Sequence, residues 1–128
     1  MTSASSHAMI SGRSGCRAIL AWKAGVAVGF ATISTLHPAL NESGTLFMKD
    51  LFISRRVRGG GLGRQFMVHI ASLALSMGCR RFDWTAETDN ARALAFYDDL
   101  GASRIDEKVY FRFDDAGLEA FVLGSPVD

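Results

Sequence analysis

A cluster of glycines and arginines fills the segment Arg55–Phe66, which reads RRVRGGGLGRQF. Glycine loses more conformational freedom on folding than any other residue, so such a cluster needs a physical reason. The segment joins a predicted strand to a predicted helix, whose first N–H groups are unpaired and partially positive. Glycines let the backbone approach an anion closely, and arginines add charge, so the segment predicts a phosphate-binding loop. The alternative is a turn that only needs positive φ angles, for which one glycine would suffice.

The spacing of the glycines excludes two common phosphate-binding loops. A Walker A loop requires Gly-Lys followed by Ser or Thr, whereas this loop ends in Gly63-Arg64-Gln65. The dinucleotide fingerprint requires a glycine at position 66, which is Phe66 here. The pattern that fits is R-x-x-G-x-G, from Arg58 to Gly63.

A second motif follows at a fixed distance and reads Asn-x-x-A-x-x-F-Y-x-x-x-G, from Asn90 to Gly101. Together the two motifs resemble the acyl-CoA signature of the GNAT superfamily of N-acetyltransferases, and the resemblance runs from about residue 18 to residue 123. The segments MKDLFISRRVRGGGLGRQF, MGCRRF and NARALAFYDDLGAS look most like the spermidine/spermine branch and its diamine and thialysine-type relatives.

The resemblance implies acetyl-CoA as co-substrate and assigns roles to residues of both motifs. It implies that one strand pairs with the pantetheine arm, that the loop holds the pyrophosphate, and that a helix lies along the CoA groove. The implied cofactor-binding residues are Leu51, Phe52, Ile53, Arg58, Gly59, Gly60, Gly61, Leu62, Gly63, Arg64, Asn90, Ala93 and Phe96. Tyr97 is the implied catalytic residue, with its hydroxyl facing the sulfur.

The chemistry of acetyl transfer explains why a tyrosine is suited to that role. An alkyl amine has a pKa near ~10.4, so freeing its lone pair at neutral pH costs about 4–5 kcal/mol. A strand N–H can polarise the thioester carbonyl, and a tyrosine hydroxyl can protonate the leaving sulfur, which contributes roughly 10²–10⁴ in rate. The alternative for Tyr97 is a packing residue on an amphipathic helix, beside Phe96 and Leu100.

The chain departs from the branch pattern at the acceptor side and at its N-terminus. Polyamine acetyltransferases carry Glu-Asp where this chain has Lys49-Asp50, and a like charge about 4 Å from a cationic substrate costs roughly 4 kcal/mol. Acceptor-side candidates are Lys49, Asp50, Asp83 and Glu87, each of which could instead be a solvated or structural charge. Residues 1–17, a predicted arm, are too few for the strand and helices that the family usually places there.

These departures leave two functions open. The first is an acetyl-CoA-dependent N-acetyltransferase that acts on a primary amine of a small molecule or peptide. The second is a non-catalytic acyl-CoA-binding or interaction protein on the same scaffold. Tyr97 and Asn90 favour the first function, and Lys49 with the short N-terminus favours the second.

Hydrophobic patterning supplies the elements that would position these residues. Leu62, Phe66, Ile70, Leu73 and Met77 recur at helical spacing, and Gly78 follows as a helix stop. The remaining predictions are a hairpin over 19–36 that turns at 23–25, strands at 46–53, 80–87 and 108–113, and helices at 90–101 and 114–123. This order predicts one α/β domain at 18–128, with a mixed twisted sheet, helices packed on both faces and a reduced N-terminal layer.

Composition restricts the partners. The chain has 128 residues, 48% of them hydrophobic, and a formal net charge of +1, which gives no argument for nucleic acid or an anionic membrane. Lys23 and small residues interrupt the apolar stretch 19–36, and no signal-peptide pattern is present, so we expect a cytoplasmic protein. Two cysteines form no disulfide framework, and the spacing of the three histidines predicts no metal site. We also expect a homodimer, because Ile19–Leu36 looks like a long, weakly charged edge.

Overall fold

The computed structural model describes residues 7–11, 15–37 and 43–124. Five strands form one sheet in the order β1-β2-β3-β4-β5. Their bounds are β1 His7–Ser11, β2 Arg17–Lys23, β3 Val26–Leu36, β4 Gly44–Ile53 and β5 Cys79–Trp84. The helices are α1 Leu62–Ser76, α2 Ala91–Leu100 and α3 Asp115–Leu123, with a short 3-10 turn at Arg55–Val57. The predicted mixed α/β fold class is confirmed.

The predicted hairpin is confirmed, and its turn explains why it forms. Ala24 and Gly25 both have positive φ, 53° and 81°. Two consecutive positive φ angles give the mirror-image turn whose twist matches that of the flanking strands. The hairpin is not an edge, however, because β1 pairs with β2 and β4 pairs with β3. The premise of an exposed 19–36 edge was therefore wrong.

The strand β4, the helix α1 and the strand β5 form the predicted parallel crossover. The apolar face of α1 is buried, with Phe66 and Ile70 fully inaccessible, and the helix packs against β4 and β5. Gly78 follows the helix at φ 83° and provides the left-handed residue that ends it. In the sheet, Ile19, Ala31, Ile33, Leu46 and Met48 are at most 2% exposed.

The predicted strand at 108–113 is wrong, because the structure assigns no strand to residues 102–114. The alternation of Val109, Phe111 and Phe113 has the period of a strand, but a strand also needs a partner for its backbone groups. The predicted closing helix is confirmed as α3. The backbone divides into two compact units, residues 1–96 and 97–128, and the division falls inside α2.

Candidate functional site

A β-bulge shapes β4 next to the loop. Ile33 is paired with Met48 and Thr32 with Asp50, so Lys49 has no partner on β3. The residues before the bulge (Leu46, Met48) and after it (Leu51) therefore share the buried face. Bulges of this kind occur frequently beside active sites.

Past the bulge, β4 is paired on one side only. The parallel pairing with β5 ends at Met48 and Trp84, so residues 49–53 have no strand partner on that side among the described residues. The Ser54 N–H donates to the Val28 carbonyl at 2.7 Å, and peptide groups alternate their direction along a strand. The N–H and C=O groups of Leu51 and Ile53 therefore point toward the open edge, whereas those of Phe52 point toward β3.

The turn after β4 is held by its own polar groups. Ser54 caps the 3-10 turn, since its Oγ accepts from the Arg56 N–H at 3.3 Å. The Arg58 Nε donates to the Ile53 carbonyl at 3.0 Å, so this arginine fastens the loop to the end of β4. Nothing in the sequence pattern identified Ser54 beforehand, although Ser is a common capping residue.

Two glycines of the loop adopt conformations that other residues disfavour. Gly59 has φ 89° and Gly61 has φ 82°, both in the left-handed region. A Cβ built on either glycine would meet no atom within 4 Å. Backbone conformation, rather than crowding, therefore requires glycine there, and open space lies beside the loop.

The loop leaves six consecutive backbone N–H groups unpaired. The first backbone hydrogen bond of the helix is from the Gln65 N–H to the Gly61 carbonyl at 3.0 Å, and within the described residues the N–H groups of 59–64 have no acceptor. The N-cap Gly61 supplies no side-chain bond, and the first turn of α1 contains no acidic residue. Unpaired N–H groups and the positive end of a helix dipole form an anion site.

Positive charge surrounds this loop without being neutralised by carboxylates. Arg55, Arg56, Arg58 and Arg64 are exposed, and among the described residues none of them forms a salt bridge with a carboxylate. The predicted phosphate-binding residues Arg58 to Arg64 thus lie together on one loop and the first turn of α1.

The second motif begins with a helix cap. The Asn90 Oδ1 accepts from the Ala93 N–H at 3.1 Å, so these two predicted groove residues are bonded to each other at the start of α2. The amide nitrogen of Asn90 forms no hydrogen bond among the described residues. Capping is a structural role that the sequence reasoning did not assign to Asn90.

Phe96 is close to the loop. A Cβ at Gly63 would lie 3.1 Å from the Phe96 Cζ, which is tighter than ordinary contact. Gly63 therefore admits the Phe96 ring against the first turn of α1. This contact brings one residue of the second motif to the glycine loop.

Tyr97 is the next residue of α2 and is half-buried. Burial raises the pKa of its phenol above the ordinary value of 10.0. The hydroxyl therefore keeps its proton throughout the neutral and mildly alkaline range.

The acceptor-side candidates are distributed over β4, β5 and the loop after β5. Asp50 accepts from the Thr32 Oγ1 at 2.7 Å, a cross-strand bond that the sequence did not reveal. Lys49, Asp83 and Glu87 are exposed. Asp83 is in register with Phe47, so it lies on the opposite face from Phe82 and Trp84.

In the described ranges, the His, Cys, Asp and Glu side chains form no group of three that could hold a metal ion. Within the same ranges, every helix is too short or too polar to cross a bilayer.

Comparison with known proteins supports the acetyltransferase interpretation. The sequence profile of the Acetyltransferase (GNAT) family matches residues 3–102. An L-ornithine N5-acetyltransferase of Arabidopsis thaliana is 25% identical over 95 residues, which cover 74% of this chain and 42% of that protein. A thialysine N-epsilon-acetyltransferase of Mus musculus is 29% identical over 72 residues, 54% of this chain and 42% of that protein. The chain thus spans about two fifths of the length of these relatives.

Solved structures agree with the fold. An integron cassette protein from the mobile metagenome of V. cholerae superimposes with a TM-score of 0.82 at 44% identity, over 89% of this chain and 70% of that one. An aminoglycoside N-acetyltransferase in complex with CoA superimposes with a TM-score of 0.67 at 23% identity, over 77% of this chain and 66% of that one. The second likeness is one of fold.

Proposed function

Because the chain belongs to the Acetyltransferase (GNAT) family, we propose that it is an acetyl-CoA-dependent N-acetyltransferase that acts on a primary amine of a small molecule or peptide. The observation that carries this proposal is the run of six unpaired N–H groups at 59–64, set among exposed arginines. A pyrophosphate is the ligand that matches such a run, because it offers several anionic oxygens to neighbouring donors.

In this proposal the pantetheine arm lies along the open edge of β4. Leu51 and Ile53 direct backbone groups to that edge, and the Ile53 carbonyl already accepts from Arg58. The groups left free for the arm are then the N–H and the carbonyl of Leu51 and the N–H of Ile53. Phe52 contributes no backbone group, because its N–H and carbonyl point toward β3. Asn90, Ala93 and Phe96 border the arm from the start of α2.

The chemical step follows from these groups. The amine nitrogen attacks the thioester carbon, and the Leu51 N–H stabilises the oxyanion that forms. When the C–S bond breaks, the thiolate takes the proton of the Tyr97 hydroxyl. The new amide nitrogen loses its extra proton to solvent, and solvent returns one proton to the Tyr97 phenolate, so the cycle closes. The raised pKa of Tyr97 keeps that proton available at neutral pH.

The acceptor in this proposal carries an anionic group beside its amine. Lys49 is exposed on the bulge, at the position where the polyamine branch has a glutamate, so its charge opposes a simple polyamine and favours an amino-acid-like acceptor. The relatives named for ornithine and thialysine, both amino acids, support this choice. Asp50, Asp83 and Glu87 remain proposed partners of the acceptor amine.

The test is a free-thiol assay with acetyl-CoA and a panel of amines. In parallel, the melting temperature of the protein is measured with and without CoA. We expect turnover on ornithine-like acceptors, at least tenfold faster than on spermidine at equal concentration. A control without amine corrects for the thiols of Cys16 and Cys79. A thermal shift with CoA but no turnover on any amine would contradict the enzyme and support the acyl-CoA-binding alternative.

A further inference from the structure

The bulge in β4 determines the face of the sheet on which Asp50 lies. Side chains alternate along a regular strand, so Asp50 would share the buried face with Met48, two residues before it. The extra residue Lys49 changes this, because Met48 is paired with Ile33 and Asp50 with Thr32. Met48 is 2% exposed, whereas Asp50 is exposed. The bulge therefore directs the Asp50 carboxylate to the outer face of the sheet, which we define as the face opposite Met48 and Ile33.

One oxygen of the Asp50 carboxylate is held and the other is free. Its Oδ2 accepts from the Thr32 Oγ1 at 2.7 Å, and its Oδ1 has no hydrogen bond among the described residues. Asp83 and Glu87, the other two proposed partners of the acceptor amine, receive no side-chain hydrogen bond in the part of the chain that the structure describes. Of the three carboxylates, Asp50 is the one that the fold orients.

A cation and an aromatic pair border this carboxylate. Lys49 precedes it on the bulge, is exposed and forms no ion pair within the described residues. Phe52 follows two residues later on the outer face, with its ring centre 5.9 Å from that of Phe30 on β3. The two phenylalanines are 48% and 39% exposed. Aromatic faces beside a carboxylate favour an ammonium group that carries carbon atoms.

We propose that Thr32 is a positioning residue, whose hydroxyl holds the Asp50 carboxylate in the orientation that receives an ammonium group of the acceptor. This inference rests on the proposed function and extends it to a residue outside both sequence motifs. The hydroxyl occupies one carboxylate oxygen and leaves the other for the ammonium group, while Lys49 receives the carboxylate of an amino-acid acceptor. A side chain that is already oriented loses less freedom when a ligand binds, so binding is tighter.

The alternative is that the bond from Thr32 to Asp50 serves only the sheet. Cross-strand side-chain pairs stabilise a sheet. Loss of a purely structural bond would lower the melting temperature and leave the affinity for an amine unchanged. Loss of a positioning bond would lower the affinity for the amine and leave the affinity for CoA unchanged.

The test measures acceptor binding separately from turnover. L-Ornithine is titrated by calorimetry into the protein in the presence of CoA, which has no acetyl group to transfer, and turnover is followed with acetyl-CoA. Thr32→Val removes the hydroxyl and keeps a β-branched side chain. We expect it to weaken ornithine binding and to raise the KM for ornithine at least fivefold, with CoA affinity within twofold of wild type. Thr32→Ala should show the same loss, and Thr32→Ser, which keeps a hydroxyl, should bind ornithine within twofold of wild type.

Two control variants show whether the effect passes through Asp50. Ser34→Ala deletes a hydroxyl two residues along β3 on the same outer face, and it should leave ornithine binding within twofold of wild type. Asp50→Ala should weaken ornithine binding at least tenfold. Adding Thr32→Val to Asp50→Ala should then change binding less than twofold, because Thr32 acts only through that carboxylate.

The proposal and the proposed function fail in different measurements. Unchanged ornithine binding in folded Thr32→Val, a further loss when Thr32→Val is added to Asp50→Ala, or no binding of ornithine to the wild-type protein would overturn the role of Thr32. Absence of turnover on every amine would overturn the proposed function. Ornithine binding that still depends on the Thr32 hydroxyl in that case would support the positioning role in an acyl-CoA-binding protein.

Discussion

Single side chains determine the proposed chemistry, and Tyr97 is the most informative of them. Replacing Tyr97 with Phe removes the hydroxyl and keeps the ring, so kcat should fall by roughly 10²-fold or more while acetyl-CoA affinity changes little. Steady-state kinetics and calorimetry separate the two effects. Loss of acetyl-CoA affinity with unchanged kcat would assign Tyr97 to packing instead.

The pH dependence of the same residue is a separate prediction. Burial raises the pKa of Tyr97 above 10.0, so the acid form persists as pH rises, and it is lost only above that raised value. With an acceptor amine that is free at high pH, kcat should therefore show no decline between pH 7 and 9.5. A decline with a midpoint in this interval, absent in Tyr97→Phe, would contradict the acid role.

We expect the charge of Lys49 to determine which acceptor the protein prefers. Lys49→Glu places at this position the acidic residue that the polyamine branch carries, so the ratio of kcat/KM for spermidine over ornithine should rise at least tenfold. Lys49→Gln is the matched control. It removes the positive charge without adding a negative one, so it should raise this ratio by less than Lys49→Glu does. An unchanged ratio in Lys49→Glu would mean that this side chain does not face the acceptor.

At the scale of elements, the start of α2 carries a structural prediction. Asn90→Ala removes the cap from the Ala93 N–H, which should lower the free energy of unfolding by about 1 kcal/mol. Asn90→Ser retains a capping oxygen but loses the amide donor, so it should fold normally. Thermal unfolding and CoA titration of both variants separate capping from cofactor contact. If CoA binding is weakened in Asn90→Ala but not in Asn90→Ser, the side-chain amide of Asn90 does not contact CoA.

Local patterns predicted most elements, and the failures have physical causes. Helix spacing and Gly78 defined α1, and the alternation of Val109, Phe111 and Phe113 predicted a strand that the structure does not have. Hydrophobic periodicity indicates which side chains could share a face, but a strand also requires a partner for its backbone N–H and C=O groups. The bulge at Lys49 has no signal in the sequence, because it arises from the register between two strands. The loop was predictable because left-handed glycines and a helix start are both local features.

In the whole molecule, positive charge is concentrated at the glycine loop, although the net charge of the chain is small. The net charge is +1, yet four arginines surround the glycine loop. CoA affinity should therefore fall at least severalfold as salt rises from about 0.1 M to about 1 M, over which the screening length shrinks from about 10 Å to about 3 Å. Arg64→Gln should reduce this dependence, and an affinity insensitive to salt in the wild-type protein would argue against ionic binding.

The homodimer remains a prediction. The 19–36 hairpin is paired on both sides within the sheet, so it is no longer a reason to expect a dimer. Light scattering at micromolar concentration should give about twice 13.9 kDa. A monodisperse mass near one chain would refute the dimer.

Calorimetric titration of Gly61→Asp with CoA tests whether the backbone of residues 59–64 binds the pyrophosphate of CoA. Gly61→Asn is the matched control, because Asn and Asp have similar shapes and both tolerate a positive φ, while only Asp carries charge. We expect Gly61→Asp to fold and to bind CoA at least a hundredfold more weakly than wild type, and Gly61→Asn to bind with an intermediate affinity. Equal CoA affinities in wild type and folded Gly61→Asp would contradict pyrophosphate binding by this backbone.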